Sequence, residues 1–212
     1  MTRFELRARR RGFKVIAGVD EAGRGSLAGP VVAAAVVFPA DYTNFDIRDS
    51  KQLLAAKRER LYEVVKQDAL AVGIGVVEPA VIDSKNVLRA SLMAMKEAVA
   101  GISLPVDYLL VDGNYPLQTV IPQETIIKGD SRSLSIAAAS IIAKVSRDRI
   151  MEMYHRQYPQ YNFIKNKGYG TLEHREAIRK HGFCKIHRRT FKCVREYAGP
   201  QTRIPFPEGD EE

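Results

Sequence analysis

Short apolar runs alternate along the chain with stretches in which apolar residues recur every three or four positions. Residues 14–20 (KVIAGVD) and 30–38 (PVVAAAVVF) are rich in valine and bounded by glycines, so they predict two buried strands joined by the turn GRGSLAG. Residues 53–69 have the spacing of an amphipathic helix. A third strand is predicted at 70–78 (LAVGIGVVE).

The same alternation continues through the middle of the chain. Asn86 is placed to cap a helix over 87–102, because its side chain can accept from the first free amides. Residues 106–111 (VDYLLV) predict a fourth strand, and a weaker strand is predicted at 119–128. The chain thus begins with two consecutive strands and continues with helices and strands in alternation. This order predicts an α/β fold.

The last third of the chain is predicted to be helical. The longest helix should begin near 131–133 and end before Pro159, which cannot continue it. A loop then leads to a basic helix over 171–181, where Thr171 can cap the start and Gly182 can end the helix.

The composition is that of an ordinary folded protein, and the net charge indicates which class of partner it binds. The 212 residues are 45% hydrophobic and 27% charged, which excludes a disulfide-stapled peptide and a disordered chain. The net charge of +8 attracts polyanions, so nucleic acid is the first partner to test. Two cysteines and no apolar stretch of about 20 residues fit a cytoplasmic protein without a membrane span.

The charge divides the chain into three parts. We expect a basic N-terminal arm at 1–13, which either adds unspecific affinity for duplex or is disordered until bound. One folded domain is expected at 14–198, with a C-terminal portion from about 160 whose residues 164–195 carry a basic face. Residues 199–212 are expected to be an acidic, solvated tail.

Acidic residues follow several of the predicted strands. Asp20 and Glu21 come directly after the first apolar run, and Asp112 directly after the fourth. Adjacent carboxylates at a buried strand end repel each other and lose hydration unless a cation neutralises them, although such a pair can also simply point into water. Asp130 precedes the long helix, where it can be an ordinary N-cap, a further member of the acidic site, or both.

A site made only of carboxylate oxygens favours Mg²⁺ or Mn²⁺, which are hard ions that share ligands with phosphate. Two such ions about 4 Å apart can activate a water and stabilise the leaving oxygen of a phosphodiester. In a basic protein, this cluster suggests a nuclease. Cys184, His187 and Cys193 match no common zinc spacing and are expected to be packing residues.

Two glycine-containing loops are candidates for substrate contact. GRGSLAG is followed by a strand, so it is not a dinucleotide-binding turn; Gly23 and Gly25 instead expose backbone beside the acidic pair. The segment KNKGYGT places Tyr169 between two glycines, where its ring can stack on a bound strand. The alternative for the GRGSLAG segment is a tight turn without contact to substrate, and the alternative for Tyr169 is an ordinary surface side chain.

Five strings occur in a characteristic order: VDEAGRGSLAGPVVAAAV, DSKQL, VDGN, KGDSRSLSIAAASIIAKVSRD and NKGYGT. Together they closely resemble bacterial ribonuclease HII, over about Val15 to Val194. The resemblance implies a ribonuclease H-like α/β fold, with a mixed central sheet flanked by helices and a small helical C-terminal portion.

The resemblance also implies an activity. The implied activity is hydrolysis of the RNA strand of RNA–DNA hybrids, with Mg²⁺ or Mn²⁺ as cofactor. Single ribonucleotides in duplex DNA are implied to be a second substrate, cut on their 5′ side to leave 3′-hydroxyl and 5′-phosphate ends. Asp20, Glu21, Asp112 and Asp130 occupy the positions of the metal-binding catalytic carboxylates.

Substrate-binding positions carry over in the same way. Gly23, Arg24 and Gly25 are implied to contact the region of the ribose 2′-hydroxyl, and Tyr169 the deoxyribose that follows the ribonucleotide. Lys51 of the DSK motif is implied to contact a backbone phosphate. We expect a monomer bound to RNA–DNA hybrid or to duplex DNA containing ribonucleotides.

Two other functions remain open from the residues alone. A nuclease or recombinase of the same superfamily that acts on DNA would need the same acids, because metal chemistry does not depend on the sugar. A basic nucleic-acid-binding module with structural acids would bind without cutting. Substituting Asp20 with Asn separates binding from cleavage.

Overall fold

The computed structural model describes residues 1–47 and 54–197. Within them a five-stranded sheet has the order β3-β2-β1-β4-β5. The strands are β1 (Ile16–Ala22), β2 (Val31–Val37), β3 (Ala71–Val77), β4 (Tyr108–Asp112) and β5 (Gln123–Ile126). β1 is antiparallel to β2 and parallel to β4, while β2 and β3 are antiparallel and β4 and β5 parallel. The sheet is therefore mixed, as predicted.

Helices cover both faces of the sheet. They are α1 (Arg3–Arg10), α2 (Ala55–Asp68), α3 (Pro79–Lys85), α4 (Val87–Ala100), α5 (Leu134–Gln157), α6 (Phe163–Asn166), α7 (Leu172–His181) and α8 (Lys192–Arg195). α5 and α2 pack on one face and α4 on the other. Because a Cβ at Gly18 would lie 2.2 Å from the carbonyl carbon of Ser135, only glycine lets α5 approach β1 so closely.

Several predicted helix boundaries are confirmed by their caps. The Asn86 side chain accepts from the amide of Arg89, and the Thr171 side chain accepts from that of His174. The long helix is capped by Ser133, whose side chain accepts from the amide of Ile136. Asp130 is therefore not its N-cap. The short helix α3 was not predicted, because its seven residues show no clear periodicity.

The N-terminal segment is a packed helix, which decides against one of the two alternatives left open for it, disorder until bound. Phe4 and Ala8 of α1 are buried against Tyr108 and Ile136. The Glu5 carboxylate accepts hydrogen bonds from Ser133 and Ser135 at the start of α5. The spacing of Phe4 and Ala8, four residues apart, is typical of a helix packed by one face. The many arginines around them instead suggested an exposed basic arm.

The C-terminal helices form a small core of their own. Met151, Tyr161, Phe163, Ile178 and Val194 are all buried in one cluster. The predicted acidic tail lies outside the described residues, and the division into 1–13, 14–198 and 199–212 stays a prediction. Among the described residues, none of the helices combines the length and apolar character needed to cross a membrane.

Candidate active site

Three of the predicted acids meet at one edge of the sheet. β1 and β4 are neighbouring parallel strands, so Asp20 and Glu21 near the end of β1 come close to Asp112, the last residue of β4. One carboxylate oxygen from each of the three lies within 4.8 Å of the others. This all-oxygen group has the donor chemistry of a divalent-cation site.

Asp130 lies beside this group without belonging to it. It sits in a single helical turn, Gly129–Ser131, and its side chain is buried. The amide of the preceding Gly129 donates to Oδ1 of Asp112 at 2.6 Å. The turn is therefore tied to the cluster, and the role of Asp130 as a ligand stays a prediction.

Burial and mutual repulsion make the acidic cluster costly without a cation. Burial, and then the charges of Glu21 and Asp112, raise the pKa of Asp20 well above 3.8, while a hydrogen bond to Ser140 opposes the rise. Burial also raises the pKa of Glu21 above 4.5, and the Arg24 guanidinium, 3.2 Å from Oε1 of Glu21, opposes that rise. A divalent cation would relieve this desolvation and repulsion, so the residues fit such an ion.

A cavity of about 320 Å³ opens over the acids and gathers most of the predicted site. It is lined by Asp20, Glu21, Ala22, Gly23, Arg24, Gly25, Asp112, Ser140, Lys144 and Tyr169. The structure thus brings the glycine turn and Tyr169 to the acids. Lys51 lies outside the described residues.

Ser140 and Lys144 line the cavity and were not predicted to do so. They are four residues apart on α5, so they share one face of the helix. The Lys144 ammonium lies 5.3 Å from the ring centroid of Tyr169 and 2.7 Å from Oδ1 of Asp148. Only the spacing on α5 could have indicated them, and it does not reveal which face meets the acids.

A fully buried arginine, Arg188, holds the glycine turn from behind. Its guanidinium donates to the carbonyl oxygens of Gly23 at 2.7 Å and of Arg24 at 2.8 Å, and also to those of Gly29 and Pro30. These bonds cap backbone oxygens that no strand partner reaches, and the guanidinium supplies several donors in a fixed plane. These hydrogen bonds therefore attach the turn to Arg188 on the side away from the cavity.

A second fully buried arginine, Arg147 of α5, joins the glycine turn to the loop that carries Tyr169. Its guanidinium donates to the carbonyl oxygens of Ala28 at 3.0 Å and of Lys167 at 2.9 Å, and it lies 5.4 Å from the ring centroid of Tyr169. Gly23 has φ +97°, and a Cβ there would lie 2.1 Å from Nε of Arg147. Glycine is required at this position for both reasons.

The comparisons with known proteins agree with this geometry. The family model described as Ribonuclease HII matches residues 17–194. A Ribonuclease HII of Syntrophus aciditrophicus is 67% identical over 192 residues, covering 91% of this chain and 91% of that protein.

Solved structures share the fold. The ribonuclease H2 of Pyrococcus horikoshii OT3 superposes with a TM-score of 0.75 and 26% identity, over 86% of this chain and 96% of that one. Bst-RNase HIII in complex with Mn²⁺ has a TM-score of 0.71 at 19% identity, over 91% of this chain and 71% of that one, and so supports the fold alone. The family match and the 67% identity to the Syntrophus aciditrophicus protein show that the chain belongs to the bacterial ribonuclease HII family.

Proposed function

We propose that this protein is a divalent-metal-dependent endoribonuclease that hydrolyses the RNA strand of RNA–DNA hybrids. We further propose that it cuts 5′ of single ribonucleotides in duplex DNA and leaves 3′-hydroxyl and 5′-phosphate ends. Family membership supports ribonuclease H endonuclease activity. The observation that carries the proposal is the meeting of Asp20, Glu21 and Asp112 in one cavity with the 23–25 turn and Tyr169.

The chain's own residues prepare the site for Mg²⁺ or Mn²⁺. Asp20, Glu21 and Asp112 would hold the metal, with Asp130 proposed as a fourth carboxylate. When bound, such ions supply an activated water and stabilise negative charge on phosphate oxygens. Ser140 fixes the Asp20 carboxylate by a hydrogen bond. A solved ribonuclease HIII of the same fold is in complex with Mn²⁺, which supports a divalent ion without choosing between the two metals.

The neighbouring loops have the features needed to recognise a ribonucleotide. The Cα of Gly25 faces open space, so a sugar hydroxyl can approach the backbone of the 23–25 turn. Tyr169 is 37% exposed, and two cationic side chains, Lys144 and Arg147, lie near its ring. A short antiparallel bridge links Ser26 to Tyr169. This bridge supports a coordinated contact of the turn with the ribose and of Tyr169 with the next deoxyribose.

The test is cleavage of a DNA duplex that contains one ribonucleotide, in Mg²⁺, Mn²⁺ or chelator, with both product ends mapped. A matched all-DNA duplex and a continuous RNA–DNA hybrid are run in parallel. We expect cutting on the 5′ side of the ribonucleotide, only with metal, and none of the all-DNA duplex. Cutting of the all-DNA duplex would favour a DNA nuclease, and binding without any cutting would favour a binding module.

We also propose a monomer that acts in the cytoplasm on these nucleic acids. Both cysteines, Cys184 and Cys193, are free thiols, which suits a reducing compartment. Light scattering during gel filtration should give a mass near 23.7 kDa. A mass of twice that value would contradict the monomer.

A further inference from the structure

His187 and Arg188 are neighbours in sequence, both buried, and each supports a different substrate-facing loop. Arg188 holds the carbonyl oxygens of Gly23 and Arg24, as described above. The amide of Arg188 also donates to the carbonyl of Leu27 at 2.8 Å. The ring of His187 points the other way, toward the loop that carries Tyr169.

A chain of hydrogen bonds leads from the backbone of Cys184 to that of Tyr169. The Cys184 amide donates to Nδ1 of His187 at 2.9 Å. Nε2 of His187 and Nε2 of His174 are 3.0 Å apart, and Nδ1 of His174 lies 2.9 Å from the carbonyl oxygen of Tyr169. Both imidazoles are buried at the centre of the C-terminal portion.

The donors and acceptors along this series of hydrogen bonds fix the tautomer of both rings. A carbonyl oxygen only accepts, so Nδ1 of His174 must carry a proton, and in a neutral ring its Nε2 then carries none. Nε2 of His187 must therefore donate, which leaves its Nδ1 free to accept from the Cys184 amide. Each ring uses one donor and one acceptor, and every bond runs in the same direction, toward Tyr169.

We propose that His187 is a positioning residue that acts through His174 to fix the backbone of Tyr169. This fixes the distance between Tyr169 and the 23–25 turn, and so determines the preference for a ribonucleotide followed by deoxyribose. The inference rests on the proposed function, in which Tyr169 contacts that deoxyribose. A continuous hybrid has ribose at the same place and depends less on this contact.

The test compares two near-isosteric substitutions of His187. In His187→Asn the side-chain oxygen can still accept from the Cys184 amide, but the donor to His174 is lost. In His187→Gln an amide nitrogen remains near the place of Nε2 and can still donate to His174. His181→Gln is the matched control, because the His181 ring lies against Tyr161 outside this chain of bonds.

The measured quantity is kcat/KM on a duplex with one ribonucleotide divided by kcat/KM on a continuous hybrid. We expect His187→Asn to lower this ratio about fivefold, which corresponds to the loss of one hydrogen bond, about 1 kcal/mol. His187→Gln and His181→Gln should keep the ratio of the unsubstituted protein. Equal losses on both substrates, or no rescue by Gln, would overturn the proposal.

The proposal and the function beneath it fail in different ways. If the unsubstituted protein cuts neither substrate, the proposed function is wrong; if it cuts both and His187→Asn leaves the ratio unchanged, only the positioning role is wrong. Should His187→Asn not fold, ¹⁵N NMR of the unsubstituted protein decides, since it has only four histidines. A proton on Nδ1 of His174 and on Nε2 of His187 supports the proposal, and the opposite tautomers overturn it.

Discussion

The amide nitrogen of Gly129 lies 2.6 Å from Oδ1 of Asp112 and donates a hydrogen bond to it. A Cβ at Gly129 would lie 3.1 Å from the same oxygen and 2.6 Å from Cδ1 of Ile136, so any larger residue would have to displace the end of the Ile136 side chain and press on the Asp112 carboxylate. The bond holds the turn of Asp130 against the end of β4. The backbone next to Asp130 is thereby attached to a member of the acidic cluster.

Asp130→Asn should lower kcat about 100-fold, a loss of about 2.7 kcal/mol of transition-state stabilisation, with little change in substrate affinity. The substitution removes the carboxylate proposed as a fourth metal ligand but keeps the size of the side chain. Turnover and equilibrium binding on the single-ribonucleotide duplex measure the two effects separately.

The control lies in the same turn. Ser131→Ala removes a hydroxyl that donates to the carbonyl of Lys128 at 2.9 Å, and so perturbs the turn without touching a carboxylate. It should leave kcat nearly unchanged. If Asp130→Asn behaves like Ser131→Ala, Asp130 has only a structural role.

Asp20→Asn should abolish cleavage and yet stabilise the metal-free protein. Asp20 is 3% exposed and close to two other carboxylates, so its charge lowers stability when no cation is present. Asparagine can keep the hydrogen bond from the Glu21 amide, 2.7 Å long in the structure. We expect unfolding in chelator to cost about 1–2 kcal/mol more for the variant.

With added Mg²⁺ the unsubstituted protein should become more stable than Asp20→Asn. The reason is that an ion that binds only the folded state stabilises it by mass action. The unsubstituted protein should gain stability with metal, and Asp20→Asn should gain much less. Asp41→Asn, at an exposed acid, is the control and should show neither effect. A lower melting temperature for Asp20→Asn in chelator would show that the carboxylate is not under repulsion.

The sequence was sufficient to predict the strands and the acids near their carboxyl ends, although Asp20 and Glu21, expected just after the first strand, lie within β1. Asp20, Glu21 and Asp112 were placed at strand ends by the apolar runs before them. Their meeting depends on β1 and β4 being parallel neighbours, a pairing between residues more than 90 positions apart, such as Ile16 and Tyr108. Local pattern contains no information about this pairing. The shared position of the acids at strand ends suggested a common site, and the resemblance to a family supported it.

The supporting arginines could not be predicted in the same way. Arg147 and Arg188 lie in segments rich in charge, where a guanidinium normally points into water. Both are fully buried because loops without strand partners leave carbonyl oxygens that need donors. Arg188 lies 165 positions from Gly23, its partner, so no sequence window contains both.

Tyr169→Ala should lower cutting at a single ribonucleotide about tenfold, while unspecific duplex affinity changes little. Contact of an aromatic ring with a bound nucleotide is worth about 1–3 kcal/mol, which the alanine variant would lose if Tyr169 makes the proposed contact. Tyr169→Phe keeps the ring and is expected to retain most of the cutting. Cleavage rates and binding to an all-DNA duplex, measured side by side, give the comparison. Equal losses in the two assays would argue against sensing of the RNA-to-DNA junction.

Helix α1 should contribute to both stability and duplex affinity, and the two contributions can be separated. Phe4→Ala opens a cavity under α1 and should lower the free energy of unfolding by about 3 kcal/mol. Joint replacement of the exposed Arg3 and Arg10 by Gln should leave stability unchanged and flatten the salt dependence of duplex binding by about one to two counterions. Removal of residues 1–13 should show both effects. Unchanged melting after that removal would mean that α1 does not stabilise the fold in solution.

The buried histidine pair should make the protein less stable in mild acid. Burial, and then the neighbouring His174, lower the pKa of His187 from 6.5 to about 3. Burial likewise lowers the pKa of His174. The unfolded chain therefore takes up protons below pH 6.5 while the folded protein does not, so the free energy of unfolding falls as the pH falls toward 3.

His187→Gln isolates this effect, because glutamine does not titrate. For His187 alone, the loss of stability between about pH 7 and about pH 5 is about 2 kcal/mol. Asp20 and Glu21 act in the opposite direction, since their raised pKa values favour the folded state as the pH falls, but both proteins contain them equally. Urea unfolding at the two pH values should therefore show that the free energy of unfolding falls less on acidification for His187→Gln than for the unsubstituted protein. Parallel losses in the two proteins would mean that the His187 ring takes up a proton without leaving its site.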